Sequence, residues 1–400
     1  MSDRESPTKE RRPWKQGRRP MAGAADIPTG RSRRPRGRPL LYTSYSQDMA
    51  LLDTGAKKVW TGLLVLVAFG LSVVLADRSL EVLAGAYVLA IGAIGLNIVT
   101  GYAGQVSLGH AFFVAIGAYT GAALSGPPGG RTLGFGVAEI WIWLPAAGLM
   151  AAAAGVLVAP LATRLRGLYL AVVTLGLVFL GEHVFKEWDA LTGGPGVGRS
   201  AAVPQLFGVR LDQDGPLGTR EQLLYLLMLV LLIVFAVAAR NLARSRIGRA
   251  FMAIRDRDIA AEVMGVPLTR YKVLAFGISS FYAGCAGALL YSISGYVEPG
   301  SFSLLLSVQF IAMVLIGGVA TVSGAIAGAL FISLLQPLTR SLPALVPFVS
   351  ADTTVTPNVF QVETVLYGLL IILFLVFEPR GLFGVWIRVR NYWKSWPFSY

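Results

Sequence analysis

From Val82 to Leu124 the chain runs for 43 residues without one Asp, Glu, Lys or Arg. A helix needs ~20 predominantly apolar residues to cross a bilayer. The run therefore supplies two crossings and almost nothing to connect them. Its middle, GLNIVTGYAGQVSLGHAFFVAIGAY (95–119), nevertheless holds Asn97, Thr100, Tyr102, Gln105, Ser107 and His110, spaced by Gly95, Gly101, Gly104 and Gly109. In lipid a broken helix survives only where it is buried in protein or lines a cavity. Two uses fit such a stretch. Its polar groups face a path through the membrane, or they bond between helices, worth about 0.6–2 kcal/mol per pair.

With 54% hydrophobic and 14% charged residues, far below the roughly 25% charged of a soluble chain, this is an all-α polytopic membrane protein. Ten stretches are long enough, or nearly so, to cross: 58–76, 80–99, 105–124, 138–160, 167–185, 222–240, 272–292, 302–320, 324–340 and 360–377. The short ninth stretch and the near-merged second and third leave nine or eleven open. Positive charge marks the cytoplasmic side. Residues 1–58 hold 14 Lys/Arg against 6 Asp/Glu, residues 240–272 hold 8 against 3, and the tail from Glu378 carries Arg380, Arg388, Arg390 and Lys394. Opposite them, 186–221 hold four basic and five acidic residues. About ten helices with both termini cytoplasmic satisfy every informative loop. The expected layout is a disordered basic cytoplasmic tail over 1–57, a transmembrane domain over 58–384 containing a cytoplasmic loop at 241–271, and a cytoplasmic C-terminal tail over 385–400. The N-terminal arm is rich in Arg, Pro and Gly and has no apolar core, which suits contact with anionic lipid; no nucleic-acid partner is expected.

Absences narrow the function. Ion-coupled carriers use ionisable groups near the bilayer midplane. Here the carboxylates within the spans, Glu182 and Glu363 among them, fall near helix ends. No G-x-x-x-x-G-K-[ST] phosphate loop is present, and none of the lysines follows a glycine, so active transport requires a motor on another subunit. Glu182-His183 belongs to no nucleophile or metal pattern. Two histidines and one cysteine, Cys285, supply no metal site, so neither catalytic residues nor a cofactor or metal is expected. Gly117-x-x-x-Gly121 and Gly324-x-x-x-Gly328 read as close helix packing.

In the loop RNLARSRIGRAFMAIRDRDIAAEVMGVPLTRYK, Ile247, Phe251 and Ile254 share one helical face, and Ile259, Val263 and Val266 share another. Gly265 and Pro267 end the second helix. Such a segment lies on lipid or docks a partner; the interleaved acids suit a protein surface.

GLNIVTGYAGQVSLGHAFFVAIGAY, RLRGLYLAVVTLG, LTGGPGVG, AIRDRDIAAEVMGV, IGGVATVSGAIAGA and FEPRGLFG follow one another in this order between about Leu80 and Gly384. Together they resemble the permease subunits of branched-chain amino acid ABC importers, the LivM type in particular; permeases of urea and short-chain amide importers look similar. The resemblance implies an importer permease fold in a bacterial-type cell membrane. It also implies a second, LivH-like permease, two ATP-binding cassette ATPases and an extracytoplasmic solute-binding protein. The ATPase-coupling loop would carry Arg255, Asp256, Asp258, Ala260, Ala261, Glu262 and Gly265. Importer permeases show E-A-A followed by Gly after three residues. Ala260, Ala261 and Gly265 match here, while Ile259 stands at the Glu position. Under this reading Asn97, Gln105, Ser107, His110 and, in span eight, Gln309 are the translocation-path candidates. The reading from another class is an ion-coupled secondary carrier, and a third is a non-transporting membrane scaffold.

Overall fold

The computed structural model describes residues 55–395, except 166, 212, 215–217, 341–358 and 379. All but the last three residues of the expected tail 1–57 lie outside this set. Each of the ten expected spans corresponds to a helix: α1 (Gly55–Val74), α2 (Asp77–Asn97), α3 (His110–Ser125), α4 (Ile140–Arg164), α5 (Leu168–Glu187), then α7 (Arg220–Arg244), α10 (Leu268–Ser294), α11 (Leu304–Gly317), α12 (Val322–Arg340) and α13 (Val359–Phe377). Between them come a single turn α6 (Asp189–Thr192), two loop helices α8 (Arg246–Asp256) and α9 (Asp258–Val263), and a final helix α14 (Gly381–Ser395) that runs across residue 384. Five of the helices are long and apolar enough to cross a membrane unaided.

The third span begins later than its apolar tally suggests. Residues 105–109 are not helical, and α3 starts only at His110. At 16 residues it rises about 24 Å, less than the roughly 30 Å hydrocarbon core. Likewise α11 has 14 residues, and the link 318–321 separates it from α12. Two broken crossings therefore stand inside the bundle.

α2 and α10 form its centre. α10 packs on α4, α3 and α2, and α2 packs further on α12 and α7. Small residues make this possible: a Cβ on Gly117 of α3 would collide with the Gly284 backbone of α10, and one on Gly287 would collide with the Val114 carbonyl. The second small-residue pair behaves alike, since a Cβ on Gly328 would strike the Met313 carbonyl of α11. With no hydrophobic drive between helices in lipid, close backbone approach supplies the van der Waals contact that holds them. Cys285 is fully buried in the same core and contacts the Leu144 carbonyl. Outward, α1 exposes Trp60, Leu64, Val73 and Val74, α5 exposes Tyr169 and Phe179, and α13 exposes Val365 and Val376. An apolar surface of this extent needs lipid or another subunit against it.

Connections sort to two ends. At one end Arg199↔Val297 and Ser200↔Tyr296 pair β1 (Arg199–Ser200) with β4 (Tyr296–Val297). Between these strands in the chain, β2 (Gln205–Leu206) and β3 (Val209–Arg210) form a hairpin whose turn N–H groups donate to the Glu139 carboxylate. Arg199 is buried and donates to the carbonyls of Leu191, Ala122 and Leu133. Burial draws its pKa below the ordinary guanidinium value. Three carbonyls in place of a carboxylate make this side chain a knot between the end of α3, the turn α6 and the loop at Leu133. Arg199→Met takes this donor from the Leu191 and Leu133 carbonyls, while the Ala122 carbonyl keeps the Gly126 N–H; at about 1–3 kcal/mol for each acceptor left unmet, it is expected to lower the thermal midpoint of the purified protein by several degrees, read by tryptophan fluorescence. Thr192 and Gly193 form the turn beneath it, Gly193 with a left-handed φ of 82°.

Candidate functional site

At the opposite end the α2–α3 break meets the loop helices. α2 runs on through a π-helical turn, Ile98–Tyr102, of the kind that marks functional sites. Residues 103–109 then cross as irregular backbone, Gly104 at φ +68°, with Ala103, Gln105 and Ser107 buried and Gly104 and Val106 exposed. The segment's backbone groups are met from distant elements. The Leu108 N–H donates to Thr174 Oγ1 of α5 at 2.9 Å, and the Ala111 N–H donates to Ser307 Oγ of α11 at 3.0 Å. The Gln105 N–H reaches back to the Val99 carbonyl at 2.9 Å. Such side-chain partners let irregular backbone persist at membrane depth.

Asn97 ties this break to the other one. Its Oδ1 accepts from the Ala320 N–H at 2.8 Å, and its Nδ2 donates to the Thr321 carbonyl at 2.9 Å. The side chain is 1% exposed, so its amide is wholly committed to the 318–321 link. His110, also buried, stacks edge-on against Phe310 of α11 with ring centroids 4.8 Å apart. Its Nε2 has no hydrogen-bond partner among the described residues. Ser107 Oγ accepts from the Gly109 N–H at 3.4 Å. Gln309 turns to α13 instead, where its Nε2 donates to Tyr367 Oη at 3.2 Å. The structure thus gathers Asn97, Gln105, Ser107 and His110 around one break and sets Gln309 on another contact.

The loop helices are built from capping and burial. Ser245 Oγ accepts from the N–H groups of Ile247 and Gly248 and starts α8. Phe251 and Ile254 are buried, with the Phe251 ring set edge-on to Tyr271. α9 follows with Ala261 packed inward. Ile259, Val263 and Met264 point outward, at 70%, 83% and 83% exposure. Gly265 ends the turn at φ +84°, with nothing within 4 Å of where a Cβ would sit. Its glycine is required by backbone conformation, not by space.

A direct contact joins the two parts. Arg255 Nη1 donates to the Gly101 carbonyl at 3.0 Å, while its guanidinium pairs with Asp256, also at 3.0 Å. A Cβ on Gly104 would lie 2.8 Å from Arg255 Cγ, so the loop sits tight against the break. Between them is a cavity of about 220 Å³ lined by Ala103, Gly104, Gln105, Leu165, Gly167 and Leu170 together with Ile254 to Asp258 and Lys272. Sequence reasoning missed Lys272 by treating it as the flank of a span; a lone lysine opening an apolar run was the available signal. It also missed Thr174 and Ser307, which carry none.

Comparison with known proteins places this arrangement. The family described as branched-chain amino acid transport system / permease component matches residues 79–376. The high-affinity branched-chain amino acid transport system permease protein LivM of Escherichia coli (strain K12) is 32% identical over 258 residues, covering 60% of this chain and 57% of the relative. Its counterpart in Salmonella typhimurium is 31% identical over the same shares. LivH of Escherichia coli (strain K12), from the same named transport system, is 24% identical over 212 residues, 51% of this chain and 62% of that protein. The match thus spans less than three fifths of the LivM proteins. No solved structure matches the chain. The family match takes in both broken crossings, the loop helices and the cavity between them, so the chain belongs to the branched-chain amino acid transport system / permease component family.

Proposed function

We propose that the chain is the membrane permease subunit of an ABC importer that moves branched-chain or related hydrophobic amino acids into the cell, and that it performs no hydrolysis itself. The observation that carries this is α9: three large apolar side chains, Ile259, Val263 and Met264, stand exposed on a charged loop, and Arg255 at the end of the preceding helix bonds to the α2–α3 break. A soluble ATPase seated on α9 would bury those side chains and move the break through Arg255. The loop then lies in the cytoplasm, as do both termini. The sheet and hairpin end faces outward, toward a solute-binding protein. A second, LivH-like permease covers part of the exposed apolar surface and completes the path, and two ATPases power it.

Gln105, Ser107 and His110 supply polar contacts for a zwitterionic head along this path, with Gln309 on the α11 side. Asn97 holds the two breaks in register. Cysteine scanning through 95–110 with a water-soluble thiol reagent tests the path: labelling at 105, 107 and 110 in transport-active protein supports it, and uniform protection contradicts it. Uptake of labelled leucine and labelled urea, compared in cells with and without the gene, tests the substrate. Loss of leucine uptake alone is the expected result; loss of urea uptake alone would make the chain a urea or amide permease.

A further inference from the structure

The cavity between the break and the loop helices is lined by Gln105 and Lys272, and the fold leaves the Gln105 amide unanswered. Gln105 is 5% exposed, and neither its Oε1 nor its Nε2 has a hydrogen-bond partner among the described residues. Lys272, 8% exposed, lines the same cavity. A buried amide is costly without partners. The surroundings are specific. Leu165, Leu170 and Ile254 give aliphatic wall, and Asp256, Arg257 and Asp258 line the loop side.

We propose that this cavity is a site for a free aliphatic amino acid in its zwitterionic form, reached from the side of the loop helices. Lys272 and the Gln105 amide nitrogen receive the carboxylate, the acidic side chains of the loop face the ammonium, and the leucine and isoleucine walls take the side chain. At about 220 Å³ the space falls below the roughly 300–1,000 Å³ of sites for drug-sized ligands, which fits a ligand of this size.

The proposal rests on the amino acid permease reading and goes beyond it. Because one wall is the junction of α8 and α9, a ligand held there ties that junction to the start of α10. Accumulated product would then restrain the element that an ATPase must move, and uptake would slow as the internal pool fills.

The test uses the full chain carrying Leu165→Cys. The native Cys285 is fully buried, and unsubstituted protein gives the background. Millimolar leucine is expected to slow maleimide labelling of the new thiol several-fold, while isopentylamine, which lacks the carboxylate, leaves the rate unchanged. Adding Lys272→Met is expected to abolish the protection. Equal rates with and without leucine, or protection by isopentylamine as good as by leucine, would overturn the site. In vesicles containing the assembled transporter, preloaded leucine should slow uptake by the wild type and not by the Lys272→Met protein; equal slowing in both overturns the regulatory role. Labelling scores the site without transport. Absent protection therefore counts against the site even where leucine uptake persists, and loss of the substrate reading leaves the labelling result standing.

Discussion

Gly117→Leu is expected to leave almost no monodisperse protein after detergent extraction, whereas the same change at Gly176 is expected to have no effect. Both glycines lie in apolar helices. At Gly117 a Cβ would overlap the backbone of Gly284, and backbone cannot rotate away as a side chain can; at Gly176 nothing lies within 4 Å. Overpacking a well-filled core costs about 1–3 kcal/mol and more when neither partner yields. Here the collision falls where α3 crosses α10, the helix on which α2, α3 and α4 all pack. Fluorescence-detected size exclusion of the two variants checks the result; equal profiles would mean that α3 and α10 do not cross at these glycines.

Asn97→Leu is expected to lower the thermal midpoint and abolish transport together. The substitution keeps volume but removes both bonds to the 318–321 link, leaving the Ala320 N–H unmet and the Thr321 carbonyl with only the Ala325 N–H. Buried unsatisfied groups cost about 1–3 kcal/mol each, and here the loss falls on the contact between two broken crossings. Melting curves beside uptake rates give the answer. Lost transport at an unchanged midpoint would instead assign Asn97 to the solute path.

The helices at the ten expected spans were legible because apolar length is a local property of the chain. So were the Gly-x-x-x-Gly contacts and the end of α9 at Gly265. What stayed hidden depends on separation. Thr174 and Ser307 answer the break from 66 and 196 residues away, and neither differs in sequence from any other hydroxyl in an apolar run. The start of α3 was misplaced because Val106 and Leu108 count as apolar wherever they sit, although the chain there is not helical. Asn97 reads as a path candidate because it is an amide at membrane depth; the folded backbone adds that its amide bonds to Ala320 and Thr321. Lys272 was visible as a charge, but its cavity is made by four segments that no local pattern connects.

On the proposed reading this chain carries no motor of its own. Accumulation of labelled leucine in proteoliposomes measures it most directly, using the purified chain alone under an imposed ion gradient, and the chain assembled with a second permease, ATPases and binding protein in the presence of ATP. Accumulation only in the assembled, ATP-supplied vesicles is the predicted result. Concentration of leucine by the chain alone would contradict it.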